Sequence, residues 1–385
     1  MITERVISSI TECFNQVESC KKKVPIVSFP ISGSDWRNIK KYGKYIELSI
    51  TNRCNMSCEI CFMKNACGDF EFEEMLLEDI KNLIKKIGKN KNITLFGGEP
   101  TIRNDLFEII DFISNSGNTA VLFTNGIKLA DVDYVKKLAA TNLKKIFLSI
   151  DSLNGKHNVI LEKKIKAIQN LKKFANNINL YLSVTVVEKS TGILKISSFL
   201  NFIENNDFIQ GIVFLAPVSI NEFDRLLSEI KMENIIDMLD KATSGKINKE
   251  YFSEFFELRK NLRVFFSLIK IMFPVYKHNI YLKKENGKLI PFIDLKDIKE
   301  INRKFHSKNY LGLLRYVYIY IHYVGILKKI FKPSKLEFEA YKKDLINIYI
   351  TYPKIPKHSS TKREFQRVNI AKFNDESRFR TMMIL

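Results

Sequence analysis

Residues 51–62 read Thr51-Asn-Arg-Cys54-Asn-Met-Ser-Cys58-Glu-Ile-Cys61-Phe62. The spacing CxxxCxxC puts three thiols on one short loop. A cubane iron–sulfur cluster has four irons and normally takes four thiolates. Three ligands leave one iron open to a substrate or cofactor, as the open position of a catalytic zinc is. The alternative is structural zinc, but no fourth Cys or His sits at a zinc-like spacing, and Cys67 is six residues beyond Cys61. The trio points to redox chemistry.

Outward from this loop the chain alternates strand and helix. Tyr45-Ile-Glu-Leu-Ser-Ile50 has the period-two pattern of a strand and runs into the cysteine loop. A helix is expected from Phe72 to Lys89, then a strand at Ile93–Phe96 that ends in Gly97-Gly98-Glu99-Pro100. Further pairs follow: a helix near 106–114, strand 120–124 with Asn125-Gly126, a helix near 132–139, and strand 145–150 ending at Asp151. A helix near 161–175, strand 180–187, a helix near 193–205 and strand 211–215 complete the series. Six strands, each followed by a helical segment, predict parallel βαβ units. The expected fold class is α/β: a partial (β/α)6 TIM-like barrel, an N-terminal helical extension and an α+β C-terminal domain. In such barrels active sites gather at strand C-terminal ends. The cysteine loop, Gly97-Gly98-Glu99, Thr124-Asn125, Ser149, Asp151 and Thr185 all fall there.

These motifs, in this order, resemble the radical S-adenosylmethionine (SAM) superfamily over about residues 44–216. The resemblance implies a 4Fe–4S cluster on Cys54, Cys58 and Cys61, with SAM as its partner cofactor. It places Ile60 near the adenine, and Gly97, Gly98 and Glu99 at the methionine amino group, with Pro100 fixing the exit of that turn. Thr124, Asn125, Ser149 and Asp151 would face the ribose and carboxylate; ordinary helix capping is the competing reading for Ser149 and Asp151. It also implies a reducing electron donor such as ferredoxin or flavodoxin. One electron would split the sulfonium, and the 5′-deoxyadenosyl radical would take hydrogen from a C–H bond of the substrate. Within the superfamily the chain is similar to the tetraether-lipid-synthase-like and molybdenum-cofactor cyclase (MoaA-like) branches. The stretches that carry the tetraether-lipid-synthase-like resemblance are 53–62, Gly97–Arg103, Gly211–Ser219 and Lys241–Ile247. It departs from them in having no cysteine after Cys67, so no auxiliary cluster of their kind is expected.

The bulk composition sets further bounds. With 385 residues, 45% of them hydrophobic, the chain suits one large globular domain plus an appendage. We divide it into an extension (1–42), a core (43–235) and a basic, aromatic-rich C-terminal domain (236–385). There is no apolar run of 18 residues and no signal-peptide pattern, and all six cysteines fall in the first 67 residues. This predicts a reduced, cytoplasmic protein with no transmembrane helix. The net charge is +20, and residues 251–385 hold 28 Lys+Arg against 12 Asp+Glu. A basic half calls for an anionic partner: a small-molecule or lipid substrate, with peripheral membrane contact. A lysine-rich surface from biased composition is the bland alternative. The tyrosine-rich run 316–327 reads as a core element or as a lipid-facing surface.

The first functional reading is hydrogen abstraction from an anionic, apolar substrate such as a lipid. A radical SAM methyltransferase or pterin-modifying enzyme is the second, and a peptide-modifying enzyme the third. A nucleic-acid-binding protein comes last, because no base-reading module is recognisable. Cys13 and Cys20, seven apart on a predicted helix, share a face and read as ordinary thiols or partial ligands.

Overall fold

The computed structural model describes residues 45–51, 53–58, 61, 74–153, 158–186, 189–215, 232–268, 279–307, 345–351, 370–373, 377–380 and 382–384. The 1–42 extension, Cys13, Cys20, Ile60, Cys67, His157 and the run 316–327 lie outside them.

Each expected strand and helix of the alternating region is present. The strands are β1 (Tyr45–Thr51), β2 (Asn92–Gly97), β3 (Thr119–Thr124), β4 (Lys145–Ser149), β5 (Asn179–Thr185) and β6 (Ile209–Leu215). The helices between them are α1 (Leu77–Ile87), α2 (Leu106–Asn115), α3 (Val132–Ala140), α4 (Val159–Phe174) and α5 (Lys189–Glu204). All six strands pair in parallel with their sequence neighbours, giving the partial TIM-like barrel.

Period-two patterning gives the sheet two unlike faces. One carries Ile46, Leu48, Ile93, Leu95, Leu122, Ile146, Leu148, Leu180 and Leu182, all 1% exposed or less. They share a core with Ile80, Leu83, Ile84 and Ile87 of α1 and with the buried stripes of α2 to α4. In α1 those residues follow the i, i+3, i+4, i+7 spacing that makes one helix face apolar. The other face lines the barrel. Its register joins Glu47, Thr94, Val121, Lys145 and Asn179 in one rung, and Phe123, Phe147, Tyr181 and Gly211 in the next.

The chain beyond α5 extends the same sheet. Helix α6 (Met232–Ala242) packs on α5, and α7 (Lys249–Leu268) packs on α8 (Leu295–His306). Strand β9 (Leu345–Thr351) joins β6 in parallel, and the hairpin β7 (Asn279–Glu285) and β8 (Lys288–Pro291) continues from it. The hairpin turns at the predicted Asn286-Gly287. Its far end is fastened to the end of α5, where the Leu289 N–H donates to Glu204 at 2.9 Å, and to the turn after it, where Lys284 pairs with Asp207. At the opposite edge β12 (Met382–Ile384) lies antiparallel to β1, while β10 (Ile370–Phe373) and β11 (Ser377–Arg380) form a separate ribbon. Both flanks of the six-strand sheet are therefore paired, and the outer edges of the extended sheet are the short strands β12 and β8.

Candidate functional site

Strand ends β1 and β2 meet first. The Gly98 N–H donates to the Thr51 carbonyl at 2.7 Å, and the Glu99 N–H to the Arg53 carbonyl at 2.8 Å. The cysteine loop is thus tied to the Gly97-Gly98-Glu99 turn by backbone alone. Gly97 has φ +136°, and a Cβ there would sit 2.2 Å from the Thr51 oxygen. Only glycine lets the two ends approach this closely. Arg103, 5% exposed, donates to the carbonyls of Ile50 (2.6 Å) and Met75 (2.8 Å) and pairs with Asp105. It pins the C-terminal end of β1 from below. The more exposed Arg53 grips the carboxylate of Glu74, donating from Nε to Oε1 and from Nη2 to both oxygens.

Glu99 is the hub. Its carboxylate, on a residue 1% exposed, accepts from the Thr101 N–H (3.0 Å) and hydroxyl, the Thr124 hydroxyl (2.6 Å) and the Asn125 N–H (2.6 Å). A buried carboxylate needs such a donor set to satisfy its oxygens. The set also locks the end of β3 to the end of β2. Asn125 then reaches the cysteine loop: its Nδ2 donates to Asn55 Oδ1 at 2.8 Å and lies 3.9 Å from Cys54 Sγ. Pro100 opens a single 3-10 turn (Pro100–Ile102) and is buried. Tyr134 of α3 braces that turn by donating to the Thr101 carbonyl at 3.1 Å. Burial and the Glu99 charge push its phenol well above the usual range.

Cys54, Cys58 and Cys61 are free thiols; Cys54 is exposed and the other two are half-buried. Burial raises the thiols of Cys54 and Cys58, and the neighbouring Cys61 adds to it in both. Such thiols give up their protons when cationic metal arrives. Among the described residues no three His, Cys, Asp or Glu converge on a single ion. A tetrahedral zinc, with Zn–S of about 2.3 Å, would draw its sulfurs into one tight corner. A four-iron cluster holds each thiolate on a different iron, so its ligands stand farther apart. The donor set, three thiols on one loop with no fourth Cys or His at zinc spacing, suits a cluster that keeps one iron open.

At the next strand ends, Asp151 accepts from the Thr185 N–H at 3.1 Å and links β4 to β5. It caps no helix: Asn158 fills that place on α4, accepting from the N–H groups of Ile160 and Leu161. Ser149 contributes its carbonyl, which accepts from Lys164 Nζ at 2.7 Å. Lys164 is 5% exposed; burial lowers its ammonium, against the opposing pull of Asp151, Cys58 and Glu99. It is a buried cation beside the cysteine loop, and the sequence reading missed it. The signal was present, since positions 164, 167, 168 and 171 fall on the buried stripe of α4. Thr101, Arg103 and Tyr134 were likewise not singled out as site residues. The structure thus gathers Cys54, Cys58, Cys61, Glu99, Thr124, Asn125 and Asp151 at one end of the barrel, and Ile60 alone of the expected residues is outside the description.

Residues 48–195 match the radical SAM superfamily, and this stretch of the chain is a radical SAM domain. Such a domain implies a 4Fe–4S cluster and SAM. The chain is 35% identical over 225 residues to a 7,8-dihydro-6-hydroxymethylpterin dimethyltransferase of Methanocaldococcus jannaschii, covering 53% of this chain and 43% of that protein. It is 36% identical over 116 residues to a GTP 3',8-cyclase of Alkaliphilus oremlandii, covering 29% and 35%. Streptococcus suis SuiB bound to S-adenosylmethionine superposes with a TM-score of 0.45 at 15% identity, covering 54% of this chain and 50% of SuiB. The chain spans less than half the length of either of these two curated relatives. No helix among the described residues is long and apolar enough to cross a membrane.

Proposed function

We propose that this chain, whose residues 48–195 form a radical SAM domain, is an enzyme that cleaves SAM reductively and takes hydrogen from a C–H bond of an anionic ring-bearing substrate. One observation carries the proposal. The Glu99 carboxylate, through Thr124 and Asn125, fixes the Gly97-Gly98-Glu99 turn against the loop that bears all three cysteines.

Cys54, Cys58 and Cys61 would hold the cluster, and three protein ligands would leave it a site for SAM. When bound, the pair supplies a single-electron cleavage of the sulfonium and a carbon radical that abstracts hydrogen. The chain's own residues bind and orient. Glu99 offers the ammonium the unused lone pair of Oε2, since its four protein donors fall mostly on Oε1. Lys164 and the Ser149–Asp151 segment would supply a cation and acceptors to the SAM carboxylate and ribose hydroxyls. Gly97 lets the methionine end approach backbone, Pro100 sets the turn's exit, and Ile60 is assigned to the adenine face. Residues 43–235 form the catalytic unit in this reading, and the basic residues 236–385 meet the substrate's anionic group. The reducing partner is a small electron carrier such as ferredoxin or flavodoxin.

The substrate class follows the second of the sequence readings. The names of the two curated relatives concern a hydroxymethylpterin and GTP, both bicyclic nitrogen rings. The lipid reading rested on the basic, aromatic C-terminal half and the likeness to the tetraether-lipid branch, and the tyrosine-rich run 316–327 of that half lies outside the described residues.

The test is anaerobic reconstitution with iron and sulfide, followed by SAM and a strong reductant. The proposal expects a brown protein and 5′-deoxyadenosine. A colourless protein that leaves SAM intact would refute it.

A further inference from the structure

Arg103 holds more than the end of β1. One of its nitrogens, Nη1, donates to two carbonyls, Ile50 at 2.6 Å and Met75 at 2.8 Å. Ile50 precedes the cysteine stretch and Met75 follows it, so Cys54, Cys58 and Cys61 all lie on the chain between these two carbonyls. A shared donor brings the entry and the exit of that chain together as a neck. Asp105 takes the other edge of the guanidinium as a fork, from Nε to Oδ1 at 2.8 Å and from Nη2 to Oδ2 at 2.6 Å. The fork fixes the guanidinium plane and with it the direction in which Nη1 points.

A second pair backs the neck nearer the surface. Arg53, on the entering side, forks onto Glu74, on the returning side, and Glu74 lies 3.9 Å from Arg103 Nη1. These two cations and two carboxylates balance, so the neck acts by geometry rather than by charge. Arg103 is also tied to Glu99. Between them runs the 3-10 turn, where the Ile102 N–H donates to the Glu99 carbonyl at 3.2 Å and the Arg103 N–H to the Pro100 carbonyl at 3.1 Å. Glu99 caps this turn through the Thr101 N–H, and Tyr134 braces it. One short hydrogen-bonded piece carries the Glu99 carboxylate at its start and the guanidinium at its end.

We infer that Arg103, oriented by Asp105, is a positioning residue that sets the cysteine loop in register with Glu99 and thereby the fit of SAM to the cluster. This rests on the radical SAM reading. A closed neck restricts the chain between its ends. The three sulfurs follow the neck, while Glu99 would take the SAM ammonium at a place fixed by the same turn. SAM must meet both at once, and a misplacement of about 1 Å is enough to cost on the order of 100-fold. Lysine cannot replace Arg103, because it lacks the planar fork that holds Asp105 with one edge and the neck carbonyls with the other. The thiols are untouched by such a change, so the cluster still assembles.

The experiment uses the full-length protein, reconstituted anaerobically and reduced with dithionite, as the unsubstituted chain, Arg103→Lys, Asp105→Asn, the double variant and Leu148→Ala. Iron content reports cluster loading. The change in the reduced cluster's electron paramagnetic resonance spectrum, followed against SAM concentration, reports SAM binding. Each single neck variant is expected to keep its iron and to need about tenfold more SAM, or above, for half of the spectral change. The double variant should stay within about twofold of Arg103→Lys, because Asp105 acts through Arg103. Leu148→Ala should lower the melting temperature without moving the SAM titration, which separates positioning from lost stability. Asp105→Asn is nearly isosteric and carries the test alone if thermal melting shows Arg103→Lys unfolded. A titration unmoved in the folded neck variants, iron lost in step with SAM binding, an additive double variant, or an equal shift in Leu148→Ala would overturn the inference and leave the radical SAM reading standing. An unsubstituted protein with no reducible cluster, or one whose spectrum ignores SAM, would refute that reading and this inference with it.

Discussion

The two faces of strands β1–β6 are made from alternate residues of the same short segments, and they could hardly differ more. Outward-facing Leu48, Leu122, Leu148 and Leu182 are 0% exposed against the helices. Inward, the same strands carry Glu47, Phe123, Phe147, Lys145 and Ser183. The outer face is held together by burial, which is non-directional and tolerant of exact identity. The inner face and the strand ends depend on specific donors, acceptors and rings. Substitutions on the outer face should therefore change stability, and those on the inner face and strand ends should change chemistry.

Breaking the strand-end side has the largest expected effect. Cys58→Ala removes one of three thiolates, and 5′-deoxyadenosine formation should drop to the background of reductant and SAM alone, as read by chromatography. Glu99→Gln comes next. It turns one acceptor of the hub into a donor that faces donors, and each buried polar group left unsatisfied costs about 1–3 kcal/mol. SAM cleavage should slow by about 100-fold, on the order of 2.7 kcal/mol of lost positioning, with a lowered melting temperature. Activity near the unsubstituted level in this variant would show that the hub does not organise the site.

Neighbours on β4 give the sharpest contrast. Leu148→Ala should cost about 2–5 kcal/mol in denaturant unfolding, while SAM cleavage per folded molecule stays unchanged. Phe147→Leu, one residue away but facing inward, should cost less than about 1.5 kcal/mol. Equal stability losses at the two positions would erase the distinction between the faces.

A further contrast is a pH dependence. Burial lifts the Glu47 carboxyl from 4.5 to about 7. The folded chain then holds this proton more tightly than the unfolded chain does. Its contribution to stability is full below pH 4.5, falls as pH rises toward 7 and is flat above. Glu47→Gln should flatten that window of the unfolding free energy against pH. A slope unchanged by the substitution would contradict the placement of Glu47.

The sequence was most legible where its pattern is local. The six strands and the helices between them fall within a few residues of where periodicity puts them, because each is set by its own alternation. Strands β9 and β12 were not legible as members of this sheet. Leu345–Thr351 alternates well enough, but its pairing with β6 spans more than a hundred residues and leaves no local trace. Met382–Ile384 is too short to carry a pattern. The site was legible through its cysteines, glycines and Glu99, whose types and spacing are unusual. Lys164 was hidden among Lys163 and Lys166, and its burial shows only through the helix stripe. Glu47 was hidden for a different reason. Alternation says that Glu47 and Leu48 face opposite ways, but not whether the polar side meets solvent or the inside of a barrel.

The most direct measurement compares SAM turnover, under reductant and without oxygen, in the iron-loaded protein and in variants lacking each sulfur of the trio in turn. The account predicts 5′-deoxyadenosine from the unsubstituted chain and none above background from any of the three. Equal product with and without those sulfurs, or none from any of the proteins, would contradict it.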